Sequence, residues 1–320
     1  MSDVVFVSHA SAIYYLTHRG FSNLRKTSLI PSKGQRPSPR QARNAIERLG
    51  LPDESHLDVA TACQDDRRYS ARVRPHLCAY TYGGDYLRFD SEICVAKPEL
   101  AYLQTAETLS VQELVLLGYE LCGCFVTNDG EFSRAAPVAY VGNLKSYADV
   151  HRNARGYRKA QRALSYVCDG SASPRESQLA ALLCAPKGLG GYGLPLPELN
   201  AEIPLNNTER ELLSKQRLYC DLLWRTADVA VEYDSDLFHS NTQKINDDSL
   251  RRNVLKRTGI SVIDVTNTQM RKASALHGIA RQISMELGQK PNTALSEKWK
   301  LKNKAFHELV VYGNAANKLL

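Results

Sequence analysis

The chain has no apolar run approaching the roughly 18 residues that a membrane-spanning helix needs. Its opening, Met1-Ser2-Asp3-Val4-Val5, sets no positive charge ahead of an apolar stretch, as a secretory signal would. The expectation is a cytoplasmic protein with no membrane partner. No C-x-x-C pair occurs among the eight cysteines, and only Cys122 and Cys124 lie close together. Zinc sites of the finger type need paired ligands at short spacing. The cysteines therefore read as reduced thiols packed as small hydrophobes. No internal repeat is visible.

What is present fits a globular protein of two domains. The chain has 320 residues, of which 43% are hydrophobic, enough for a sizeable core. Its net charge of +7 is moderately basic, which suits a nucleic-acid partner without requiring one. Helices are expected over Ser8–Arg19, Pro39–Leu49, Pro98–Leu103 and Val111–Tyr119. Ser38 and Pro39 form a natural helix start. Strands are expected over Leu57–Ala62, Ala71–Tyr80 and Glu92–Ala96, with a turn at Tyr82-Gly83-Gly84-Asp85-Tyr86. The stretch Ile30–Pro37 reads as an exposed basic loop.

Tyr147–Tyr166 concentrates Arg152, Arg155, Arg158, Lys159 and Arg162 among tyrosines. It is either a solvated basic helix joining two domains or a phosphate-contacting one, in which Arg155, Arg158 and Lys159 would meet DNA. The small polar segment Asp169–Pro174 marks the best boundary. It divides a recognition or partner-binding region, 1–168, from a second domain, 169–290, and a basic tail, 291–320.

The second domain opens on a helix started by Ser173, Pro174 and Glu176. Strands follow at Asn200–Leu205, Gln216–Trp224 and Asp228–Tyr233, then a helix at Asp247–Thr258, a strand at Ser261–Val265 and a helix at Thr268–Leu287. Asp221 falls on the second of the first three strands. Glu232 and Asp234 fall at the end of the third, two apart and so on one face. Converging carboxylates at strand ends suit a hard divalent ion. His239 lies five residues beyond Asp234, where it could take a proton from water. Glu176 is a candidate fourth carboxylate. Gly188-Leu189-Gly190-Gly191-Tyr192-Gly193 spells a dinucleotide fingerprint, but a helix precedes it and Leu194-Pro195-Leu196-Pro197 follows, so it reads as a loop.

Asp221-Leu222-Leu223-Trp224, Val229-Ala230-Val231-Glu232-Tyr233-Asp234 and His239 together resemble a known signature. Bacterial endonuclease-like domains related to the very-short-patch-repair mismatch endonuclease read D-x-x-W, then v-x-v-E-x-D-G-x-x-H. A helix with an acid and arginines follows, then a strand ending in threonine. Asp248, Arg251, Arg252 and Leu255, then Gly259–Thr266, fill those places here, and Ser173–Ser177 matches the family's first helix. The resemblance spans about 115 residues. It implies an α/β fold: a C-terminal αβββαβ restriction-endonuclease-like core of the PD-(D/E)XK superfamily behind a separate α+β N-terminal domain. It implies a DNA endonuclease or nickase using Mg2+ or Mn2+, in phage defence or repair. Asp221 would be the main metal ligand, with Glu232 or Asp234 and Glu176 completing the shell. His239 would be the general base, and Arg251 and Arg252 would steady phosphates or the helix. Three departures accompany it. The superfamily's lysine is missing from Glu232-Tyr233-Asp234, Ser235 stands in place of glycine, and His239 sits one residue further on.

The first half resembles, through Glu92–Ala101 and Glu120–Gly123, regions of AbiEi-type antitoxin-like proteins. That resemblance implies a role in binding DNA or a partner and no chemistry of its own. The competing expectation is a non-catalytic DNA-binding regulator that keeps the nuclease fold. A third is an assembly protein acting with a protein partner or as a homodimer.

Overall fold

A computed structural model describes residues 4–67, 70–78, 81–128, 131–234, 242–289 and 296–313. The described chain is mixed α/β and divides into two compact units, 1–165 and 166–313. Among the described residues no helix is long and apolar enough to cross a membrane, and all eight cysteines are free.

The first unit is built on a six-stranded sheet. In chain order its elements are β1 (Val5–Val7), α1 (His9–Arg19), β2 (Arg25–Lys26), α2 (Pro39–Leu49), β3 (Leu57–Thr61), β4 (Val73–Leu77), β5 (Tyr86–Arg88), β6 (Ile93–Ala96), α3 (Pro98–Thr105), α4 (Val111–Cys122), the hairpin β7–β8 (Phe125–Asn128, Glu131–Arg134), α5 (Val141–Val150) and α6 (Tyr157–Leu164). The strand order is β2-β5-β6-β1-β3-β4. β1 runs parallel to β6 and antiparallel to β3. Its three residues are all buried, as expected of a strand covered on both faces. Three residues are too few to show a period, and β1, β2, β5 and the hairpin are not among the expected strands.

Helix starts follow local chemistry. Ser38 with Gln41, and Ser110 with Glu113, form reciprocal capping boxes. The basic stretch expected as one helix is two. Gly156 breaks it in a left-handed conformation, φ 85°, and a Cβ there would stand 2.5 Å from the backbone of Ala106. Only glycine fits.

The second unit contains α7 (Pro174–Cys184), β9 (Glu198–Ile203), α8 (Asn207–Leu213), β10 (Leu218–Trp224), β11 (Val229–Asp234), α9 (Thr242–Arg257), β12 (Ser261–Thr266), α10 (Asn267–Arg271), α11 (Ala273–Glu286) and α12 (Glu297–Tyr312). Its sheet has the order β12-β11-β10-β9. The first three strands are antiparallel neighbours, and β12 returns parallel to β11, after the helical crossover that a parallel connection requires. Ala201, Ile203, Leu218, Leu223 and Ala230 of the sheet pack with Val254 and Leu255 of α9.

Three expectations change here. Between the first two expected strands, where no helix was expected, Asn206 caps the short helix α8. The closing helix expected over Thr268–Leu287 breaks at Lys272, whose backbone is extended. The Met270 carbonyl at this break accepts a bond from His307 Nε2 at 2.8 Å. The chain expected as a basic tail carries α12, which buries Phe306, Val310 and Val311 within the second unit. Its seat is the glycine loop. Asn303 Nδ2 donates to Gly190 O (2.8 Å), Lys302 Nζ to Gly188 O (2.9 Å) and Trp299 Nε1 to Gly191 O (3.2 Å). A Cβ on Gly190 would lie 2.4 Å from Lys302 O. These glycines admit a helix, not a pyrophosphate.

Candidate functional site

Strand register decides which of the sequence-predicted residues meet. β10 and β11 pair through Leu222↔Val231, Leu223↔Ala230 and Trp224↔Val229. Leu223 and Ala230 share one face of this pair, and where the pairing ends Asp221 and Glu232 lie near enough for their charges to repel. Asp221 Oδ2 accepts a bond from the Tyr233 N–H at 2.7 Å, so its side chain carries the ladder onward. Helix α9 packs on this face through Val254 and Leu255. Arg251 lies three and four residues earlier, on the same side of the helix. Its guanidinium donates to Glu232 Oε2 at 2.6 Å and to the Tyr219 carbonyl at 2.5 Å.

The electrostatics of this cluster are strained. Burial first, then the negative charge of Asp221, pushes the Glu232 carboxyl up to about 7, while Arg251 pulls it down. Asp221 is raised as well, chiefly by burial, against the Tyr233 N–H and the Arg251 charge. The pair resists carrying two full charges. Burial pushes the neighbouring Cys220 thiol up to about 12, with Glu232 adding to the shift, so it is no thiolate at neutral pH. Glu232 Oε1 is enclosed and meets no N–H or O–H donor among the described residues, although the Cys220 thiol beside this carboxyl acts on it as a weak donor. A buried carboxylate oxygen left open is costly unless something else meets it.

The remaining predicted residues are placed differently. Asp234 ends β11, half-buried, two residues beyond Glu232 on the same face, in register with Thr266 of β12. Glu176 is buried at the start of α7, where its carboxylate accepts from the Ala172 N–H (2.7 Å) and the Ser173 hydroxyl (2.8 Å). Those two bonds are of the kind a capping side chain makes. His239 lies outside the described residues, as does the Asp248 side chain. Among the described residues no group of three or more His, Cys, Asp or Glu forms a metal cage.

Of the residues expected to meet nucleic acid, Arg251 is turned inward onto Glu232. Lys159 Nζ donates to the Glu107 and Leu109 carbonyls at 2.9 and 2.7 Å and so ties down the chain after α3. Arg155 is exposed and pairs with Glu107 at 3.1 Å, and Arg252 lies 3.7 Å from Asp264. Arg158 is exposed. The sequence reading missed the inward use of Arg251. Its spacing from Val254 and Leu255 on one helix face was the available signal. It also missed Cys220, the Tyr219 carbonyl and the Tyr233 N–H. Comparison with protein-family models, with curated proteins and with solved structures finds no match to this chain.

Proposed function

We propose that this chain is a metal-dependent phosphodiesterase acting on DNA, an endonuclease or nickase of the PD-(D/E)XK type that the sequence motifs resemble. The order helix, three antiparallel strands, crossover helix and parallel strand supports that reading of the second unit. The observation that carries it is the pair Asp221 and Glu232 with Glu232 Oε1 open. Magnesium uses one or two carboxylates, keeping its other positions for water and substrate phosphates, so two acids suffice without a third ligand. The donor set fits: both groups are hard oxygens, and each is held at one oxygen by Tyr233 N–H or Arg251. When bound, the ion would activate water and neutralise charge on the phosphate. Asp221 and Glu232 would hold it, Arg251 orients Glu232, and His239 is the proposed base.

The test is incubation with supercoiled plasmid, with Mg2+, with Mn2+ and with chelator. Metal-dependent nicking or linearisation that disappears in Asp221→Ala is the expected result. A second reading, a DNA-binding regulator without catalysis, draws on one observation. Arg251 already neutralises Glu232 from within the chain, as a resident cation would. Plasmid retained in a gel shift with no cleavage in either metal would favour it.

A further inference from the structure

We propose that a cleft in the first unit, lined by Arg25, Arg48 and Arg88, binds the phosphodiester backbone of a polynucleotide. The inference does not rest on the nuclease reading and uses none of its residues.

The cleft has a volume of about 690 Å3, and Asn23, Phe89 and Asp90 complete its wall with the three arginines. Arg25 on the edge strand β2 is paired directly opposite Arg88 on β5. Their side chains therefore rise on the same face, and like charges in that relation repel. The usual remedy is an acid between them, and the structure does not use it. Arg88 donates from Nε to the Asp90 carbonyl at 2.8 Å and from Nη2 to the Ser91 carbonyl at 3.4 Å, both neutral acceptors. Among the described residues neither Arg25 nor Arg88 has a carboxylate partner within ion-pair distance. The acid in the wall is committed elsewhere. Asp90 accepts from the Glu92 and Ile93 N–H groups at 2.7 and 3.0 Å and pairs with Arg48, which also holds Glu92 at 2.8 Å. Arg48 is thus fixed as part of the wall, and Arg25 and Arg88 are left as two facing cations open to an anion.

The choice of a polymer over a single phosphate comes from the surrounding charge. Residues 19–48 contain eight Lys or Arg and one acid, Glu47, a net of +7 that equals the net charge of the whole chain. Of these, Arg36 is neutralised by Asp66 at 3.0 Å. Lys26 beside Arg25, and Arg40 and Arg43 on the helix that delivers Arg48, are exposed. Arg40 and Arg48 stand about 12 Å apart along that helix at 1.5 Å per residue. A run of cations this long matches a repeated phosphate, whose binding releases counterions at each contact.

The experiment is fluorescence anisotropy with the full chain and a labelled 20-base-pair duplex, in chelator, across a salt series. The Arg25→Gln/Arg88→Gln variant should bind at least about tenfold more weakly. Its slope of log affinity on log salt should be shallower by about 2, near 0.9 per lost phosphate contact. Arg217→Gln/Arg225→Gln, on the second unit, removes the same two charges from exposed positions and should leave both quantities unchanged. Arg25→Glu changes an exposed edge residue with no ion pair among the described residues and keeps the test valid should the double variant not fold. Unchanged affinity and slope in a folded variant overturn the proposal. So does binding to phosphatidylserine vesicles, or saturation by millimolar inorganic phosphate, that depends on these arginines while the duplex does not bind.

Discussion

Each unit holds an aspartate beside a sheet, Asp58 buried and Asp221 half-buried, and the two are treated in opposite ways. Asp58 on β3 is satisfied at both oxygens by its own unit. His76 Nε2 donates to one at 2.7 Å, and the Ser11 N–H and hydroxyl both reach the other at 3.3 Å. His76 in turn stacks on His9 at 3.7 Å. His9 opens α1 at φ 45°, and burial, with His76 adding to it, holds its imidazole well below its ordinary range. That network anchors the start of a helix to the sheet. Asp221 instead lies near a second, largely enclosed acid, Glu232, one oxygen of which meets no N–H or O–H donor among the described residues. A fold that can satisfy one carboxylate completely has no structural need to leave another strained. Strain of this kind concentrates where a ligand or a reaction uses it.

The sharpest way to break this comparison is to neutralise each aspartate. Asp221→Asn keeps an acceptor for the Tyr233 N–H but removes a charge from the strained pair. Metal-dependent cleavage should fall by about a thousandfold, about 4 kcal/mol of barrier, while the urea midpoint stays level or rises. Asp58→Ala should do the reverse, costing about 3 kcal/mol by leaving Ser11 and His76 without their acceptor. If Asp221→Asn proved as destabilising as Asp58→Ala, the pair would be structural.

Protonation sharpens the same contrast. The folded protein raises Glu232 from its ordinary 4.5 to about 7, so folding favours the protonated form. That contribution is fully present below about pH 4.5 and is lost as pH rises through about 7. Urea midpoints from pH 5 to pH 8 should therefore decline more steeply for the wild type than for Glu232→Gln. Parallel curves would mean that Glu232 is charged in the fold throughout. Added Mn2+ should restore the wild type most at the upper end, where the carboxylates are ionised.

The smallest effect tests packing in the second unit. Gly190→Ala places a methyl against Lys302 O at a left-handed φ of 101° and should cost about 2 kcal/mol as α12 is pushed from its seat. Gly188→Ala meets nothing within 4 Å and should change stability by under about 0.5 kcal/mol. Equal melting temperatures for the two would argue against α12 holding the loop.

Much of the second unit was legible along the chain. Runs of apolar and β-branched residues marked β10, β11 and β12, with Asp221 inside the first and Glu232 and Asp234 at the end of the second. The Ser173 and Ser38 starts were readable because capping is a contact between residues three apart. Glu176 was readable as an acid in a first turn, but not as one committed to the Ala172 N–H and the Ser173 hydroxyl. The first unit was harder, since β1, β2 and β5 have two or three residues each, too few to show a period of two.

The sequence by itself determined the helix starts, the longer strands and the presence of Asp221, Glu232 and Asp234 within one stretch of fourteen residues. Those features depend on neighbours along the chain. The tertiary structure alone decided that Asp221 lies near Glu232, that Arg251 turns inward to Glu232 and that Arg25 faces Arg88. It also decided that a glycine loop seats a helix more than a hundred residues away. Each of these is set by strand register and by which helix face meets the sheet, and neither quantity is written in any local run of residues.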